Sequence, residues 1–172
     1  MRYLVLLILS FNIVCAHPHT FIDVYSTIKS KDNKIEKITF KWYFDEMTSS
    51  LLIMDFDQNM DGKFDKAEID YINESYFKTL DAFNFYTDIK VNKKTIFTKP
   101  TNFISFINNG TRIVYQFDVV LNTPKKDLSI EIYDEERFCA LILKNKFIKS
   151  DTKYILSDID NDLYFGYRLE FN

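Results

Sequence analysis

The chain has 172 residues, 47% hydrophobic and 27% charged, with a mean hydropathy of −0.19. That length supports one domain with its own core, and the balance excludes both wholesale disorder and a polytopic membrane protein. A net charge of −3 and a pI near 5.4 leave no one-sided basic surface for neutralising phosphates, which excludes nucleic acid as the partner.

Residues 1–16, MRYLVLLILSFNIVCA, place Arg2 before an apolar run that ends in small Ala16. This is the pattern of a cleaved secretory signal peptide, too short to span a bilayer comfortably, with Val14 and Ala16 at the −3 and −1 positions for a cut before His17. The residues before Cys15 lack the leucine and small residue of a lipidation site. The expected mature chain is therefore 17–172, located in the periplasm, with no stable membrane insertion. Cys139 is its sole cysteine and forms no intramolecular disulfide. Its apolar run, Phe138-Cys139-Ala140-Leu141-Ile142-Leu143, suits a small buried hydrophobe, with metal ligation as the other reading.

His17-Pro18-His19 contains both histidines of the chain and would form the mature N-terminus. On an extended segment residues i and i+2 share a face, so the two imidazoles and the new α-amine offer three nitrogen donors. Such donors suit zinc, nickel, cobalt or copper. Pro18 has no N–H and cannot supply the deprotonated amide of a square-planar amino-terminal copper or nickel motif. Asp23 and Glu46 are candidates for orienting these ligands.

Thr20–Lys29 and Ile35–Phe44 alternate around Asp32-Asn33-Lys34 and predict a β-hairpin. Period then changes. After Asp45, a candidate N-cap, Met47, Leu51 and Met54 fall at helical spacing, and a second helix should start after Asp65, which forms a capping-box pair with Glu68. Its expected apolar stripe is Ile69, Ile72, Tyr76, Leu80 and Phe83. Beyond Asn84, strands are expected at Phe85–Val91, Thr95–Thr98, Phe103–Ile107, Arg112–Leu121, Leu128–Tyr133 and Cys139–Leu143. The expected fold is one mainly antiparallel, β-sandwich-like domain with a helix–loop–helix inserted at about 46–82.

Between the two helices, Asp57-Gln58-Asn59-Met60-Asp61-Gly62-Lys63-Phe64-Asp65-Lys66-Ala67-Glu68 fits the twelve-residue EF-hand calcium loop at its diagnostic positions. Asp57, Asn59 and Asp61 would give side-chain oxygens, Lys63 its carbonyl, Asp65 a direct or water-bridged ligand and Glu68 two oxygens, with Gly62 making the sharp turn. No second loop accompanies it. Asp158-Ile159-Asp160-Asn161-Asp162 has Leu163 where glycine is needed and reads as an acidic turn, so calcium is expected to staple the fold rather than switch it. No catalytic constellation is recognisable: there is no nucleophile elbow, phosphate loop or internal histidine.

The signal peptide, His17-Pro18-His19-Thr20-Phe21-Ile22-Asp23, Lys41-Trp42-Tyr43-Phe44-Asp45-Glu46, the Asp57–Glu68 loop and Ile132-Tyr133-Asp134 running into Phe138 and Ala140 together resemble the secreted bacterial domain-of-unknown-function family 1007. That resemblance implies a periplasmic component of an uncharacterised ABC-type transport system, associated with nickel, cobalt or zinc transporters in the inner membrane. His17, His19, Asp23, Asp45, Glu46 and the loop residues match the family pattern, whereas Glu135-Glu136-Arg137 replaces a less charged, tyrosine-rich stretch. The expected function is a metal-binding accessory to transition-metal transport. The alternative is a calcium-stabilised, non-catalytic interaction domain, and a histidine-brace copper enzyme is the third reading.

Overall fold

The expected hairpin forms between β1 (Thr20–Lys31) and β2 (Lys34–Phe44), in one register from Ile22 opposite Phe44 to Lys29 opposite Lys37 and, past a bulge at Lys29–Ser30, in a shifted one to Lys31 opposite Lys34. Its two-residue turn, Asp32-Asn33, has positive φ at both residues (48° and 60°), the geometry that matches strand twist and that Asp and Asn tolerate. Alternation sends Ile22, Val24, Ile28, Ile38, Phe40, Trp42 and Phe44 inward. These elements are taken from a computed structural model that describes residues 19–171.

The hairpin is the centre of the first sheet. β6 (Arg112–Pro124) pairs antiparallel with β2, and β5 (Thr101–Asn108) pairs with β6 at the edge. On its other side β1 takes two short strands end to end, β8 (Cys139–Ile142) and β9 (Ile148–Ser150), both parallel to it. The second sheet is antiparallel throughout, in the order β10 (Tyr154–Asp160), β11 (Phe165–Phe171), β7 (Leu128–Tyr133), β3 (Thr87–Val91), β4 (Lys94–Ile96). One apolar core draws on both sheets: Val24, Phe40, Trp42 and Phe117 from the first, Ile89, Ile130, Ile132 and Leu169 from the second. The protein is thus mainly β, as expected.

The pattern after Leu143 contains more structure than was expected. The acidic segment at 158–162 is not one turn: Asp158 to Asp160 end β10, and only Asn161–Tyr164 turn, with Asn161 Oδ1 accepting the amides of Leu163 and Tyr164. Gly166 marks where β11 presses on β7, because a Cβ there would lie 2.6 Å from both the Ile132 carbonyl and Tyr133 Cβ. β10 is an edge strand whose outward carboxylates protect it from further pairing, and this hid its alternation.

Between β2 and β3 the chain forms α1 (Glu46–Phe56) and α2 (Lys66–Ile72). Asp45 is the N-cap of α1, and Asp65 with Glu68 makes a complete capping box on α2, both as expected. The face of α1 is reversed, however: Met47, Leu51 and Met54 are 69%, 66% and 83% exposed, and Ser49, Leu52, Ile53 and Phe56 face the core. Ser49 decides this, because its Oγ accepts the buried Ile113 amide at 3.0 Å and donates to the Phe44 carbonyl, satisfying groups that a methionine would strand. After α2 the helix widens into a π turn (Asn73–Phe77) and tightens into a 3-10 segment (Lys78–Tyr86). Ile72 is buried and Ile69, Tyr76 and Leu80 are half-buried, but Asn84, Phe85 and Tyr86 are left-handed (φ 49–51°), and Phe83 turns out to 48% exposure.

Candidate functional site

The Asp57–Glu68 loop is suspended between two helix ends, and Phe56 anchors it. That ring is fully buried and meets Tyr76 at 4.6 Å and Phe64 at 6.1 Å, both edge-on. The carboxylates then wrap backbone amides. Asp57 Oδ1 accepts Asp61 N–H and Oδ2 accepts Gly62 N–H at 2.9 Å; Glu68 Oε1 accepts Gln58 N–H at 2.8 Å and Oε2 accepts Asp65 N–H at 2.9 Å. Asn59 and Asp61 close shorter turns onto Asp61 and Lys63 amides. Gly62 sits at φ +79° with open space around its missing Cβ, so the backbone angle is what requires glycine.

Among the described residues no three His, Cys, Asp or Glu side chains are gathered closely enough to form a metal cluster. The loop's donors still fit a hard cation by their chemistry. Asp57 and Glu68 are 7% and 5% exposed, neither forms an ion pair among the described residues, and among those residues their carboxylates accept only from backbone N–H groups. A carboxylate offers about four lone-pair sites, so acceptor capacity is left over. Asp65 and Lys63 lie on the exposed rim of the same loop.

His19 is exposed at the start of β1, whereas His17 lies outside the described residues. The histidine-bearing end is held on two sides. The Phe138 carbonyl accepts the amides of both His19 (3.0 Å) and Thr20 (3.3 Å), and Asp45 accepts the Phe21 amide at 2.9 Å while donating its own amide to the Phe21 carbonyl at 2.8 Å. Burial pushes the Asp45 carboxyl up, but the amides of Thr48 and Phe21 outweigh it and hold the group below the usual carboxylate range.

Asp23 points to the same strand face but accepts Arg112 Nη2 at 3.0 Å, and Arg112 also donates to the Tyr43 and Phe44 carbonyls. Four extended residues separate it from His19 by roughly 13 Å. Glu46 opens α1 beside Asp45 and is exposed. Cys139 is half-buried against the Tyr86 hydroxyl at 3.9 Å, and burial pushes its thiol up to about 11, so it is no ready thiolate.

Asp134, which with Glu135 the sequence offers only as a further ligand candidate beside Glu46, has a structural place instead. It is 4% exposed, and its carboxylate accepts the amides of Glu136 and Cys139, closing the turn that presents the Phe138 carbonyl to His19. Only the fold brings 134–139 alongside residue 19.

A mainly β protein with a helix–loop–helix between its second and third described strands, and with β1 held between β2 and the short parallel strands β8 and β9, is the class that the geometry defines. The chain belongs to the family described as protein of unknown function (DUF1007), whose model matches residues 3–155. It is 29% identical over 150 residues to an uncharacterised protein of Haemophilus influenzae, covering 81% of this chain and 68% of that protein. It is also 30% identical over 95 residues to an uncharacterised 15.5 kDa protein in the trpE 3′ region of Spirochaeta aurantia, covering 53% of this chain and 67% of that one.

Proposed function

We propose that the mature chain is a periplasmic metal-binding accessory protein that assists transport of a transition-metal ion (zinc, nickel or cobalt, with copper chemically admissible) and carries calcium as a structural ion. The observation that carries this reading is the place of the histidine pair: it follows directly on an apolar leader ending Val14-Cys15-Ala16, and His19 stands exposed at a tethered strand end. His17, His19 and the mature amine supply three nitrogens, and an exposed, three-donor site suits a cargo that must be passed on to an inner-membrane transporter. In the EF-hand-like loop, Asp57, Asn59, Asp61, the Lys63 carbonyl, Asp65 and Glu68 would hold calcium, which supplies cross-linking of the two helices and no reaction chemistry.

Native mass spectrometry of protein exported and processed in a periplasm tests this. The intact mass should show a chain beginning at His17 that takes one calcium and one exchangeable transition-metal ion. The double variant His17→Ala, His19→Ala should keep its fold and lose the transition-metal ion; full retention overturns the reading.

A second reading, a calcium-stabilised interaction domain of the β-sandwich type, is supported by the outward Met47, Leu51 and Met54 stripe on α1. It predicts calcium binding alone and no effect of the histidine variant.

A further inference from the structure

We infer that the outward face of the first sheet docks on an anionic membrane surface, with its lysines on the headgroup phosphates. Strand register sorts the side chains: Ile22, Val24 and Ile28 of β1 and Ile38, Phe40 and Trp42 of β2 enter the core, so the residues between them share the opposite face. There Lys29 stands opposite Lys37, Tyr25 opposite Lys41, and the parallel β9 sets Lys149 beside Thr27. The segment joining β8 to β9 adds Lys144 and Lys146, whose ammonium groups lie 5.8 and 5.3 Å from the centre of the Phe147 ring, and that ring stacks on Tyr25 at 4.2 Å. Arg112 lies over Tyr43 at 5.7 Å. Asp23 and Asp118 share the face, but each is paired within it, with Arg112 and Lys37, while Asp151 bonds Ser30 at its rim. Lys41, Lys144, Lys146 and Lys149 form no ion pair among the described residues.

A net charge of −3 implies no one-sided basic surface, yet it is a sum, and the fold separates its parts. Asp57, Asp61 and Asp65 lie on the helix–loop–helix, and Asp158 and Asp160 on β10 of the second sheet. The shape of the basic face favours a planar partner. It is five strands wide, roughly 20 Å at about 4.8 Å per strand, and one row across it reads Tyr25, Lys41, Gln116, Ile104, with Tyr25 37% and Ile104 41% exposed. A small anion is held where donors converge in a concave site, and a nucleic-acid strand is held in a groove. Lysines side by side on a broad sheet, with amphipathic rings between them, match a plane of headgroups instead. Attachment of this kind is reversible and inserts no segment into the bilayer.

Protein exported and processed in a periplasm would be sedimented, in chelator, with vesicles of phosphatidylcholine alone or with about one third phosphatidylglycerol. It should bind the anionic vesicles and not the neutral ones, and release them between about 0.1 and 1 M salt, as the screening length falls from about 10 to about 3 Å. Each lysine near an anionic surface strengthens binding about fivefold, so Lys146→Gln, Lys149→Gln should bind about 25-fold more weakly. Lys93→Gln, Lys94→Gln makes the same change of charge at the β3–β4 turn of the second sheet and should bind like the parent. All three proteins share one N-terminus, so its contribution cancels. Lys41→Gln, Lys144→Gln replaces the first variant if its melting curve departs from that of the parent. Absence of binding to anionic vesicles would overturn the inference, as would equal binding to both vesicle types or equal losses in the two double variants. Capture of polyphosphate or single-stranded DNA in preference to the vesicles would overturn it in favour of a soluble polyanion.

Discussion

Replacing Glu68 with glutamine separates the two contributions that the loop makes to stability. The glutamate accepts amides on both oxygens, from Gln58 at 2.8 Å and Asp65 at 2.9 Å, while only 5% exposed. Glutamine keeps one acceptor and turns an amino group toward the other donor, so one N–H on the exposed side of the loop loses its partner at a cost of about 1 kcal/mol. Calcium adds a second term. For a dissociation constant of about 0.1–1 mM, about 10 mM calcium stabilises the parent by about 1.4–2.7 kcal/mol, equivalent to a rise of about 3–11 °C in Tm for a chain of this size. Glu68→Gln should lower the Tm in chelator and also abolish most of the calcium-induced rise. Differential scanning calorimetry with and without calcium reads both. A parent indifferent to calcium, or a variant that keeps the full rise, refutes the assignment of this loop as a cation site.

Three further outcomes are expected. Below roughly pH 4 the protein should lose stability, because Asp118 and Glu131 both titrate lower in the folded state; burial raises each, but Asn102, Lys37 and Thr39 around Asp118, and Lys90 and Arg168 around Glu131, more than offset it. Their stabilisation is present above the unfolded carboxylate pKa and disappears as pH falls through the folded one, so Glu131→Gln should flatten the acid limb of a Tm-against-pH curve. Gly166→Ala should destabilise by about 1–3 kcal/mol in urea titration, since the added Cβ meets Ile132 and Tyr133 at 2.6 Å and the two strands must part. Leu51→Gln should change stability by no more than about 0.5 kcal/mol, because Leu51 is 66% exposed; a larger loss would mean the helix packs by its other face.

The hairpin, both helix starts and the position of the insertion were legible because each rests on contacts local in the chain. Asp32-Asn33 needs only itself to turn, Asp45 needs Thr48, and Asp65 needs Glu68. The face of α1 was not legible, because the group that decides it, the Ile113 amide, lies 64 residues from Ser49. Periodicity located the helix, and a buried hydrogen bond oriented it. The strand at Cys139 was read but its parallel pairing with β1 was not, and β9 was not read at all, for the same reason: no local pattern states that a strand at Cys139 will lie beside Thr20.

The candidate site divides along the same line. The local closure of the 57–68 segment could be read in advance, because Asp57, Asp65 and Glu68 bond amides only a few residues away. The histidine pair could be read as a donor set, but its support could not. Asp45 reaches Phe21 across 24 residues, and the turn that Asp134 closes meets His19 only because β1 and β8 run parallel from neighbouring starts. Both carboxylates belong to the fold, and both act on it through backbone amides. Aspartate therefore matters at these two positions for the reach and number of its oxygens: at Asp45 a second oxygen is needed once α1 has been capped, and at Asp134 one carboxylate must serve two amides of the same turn.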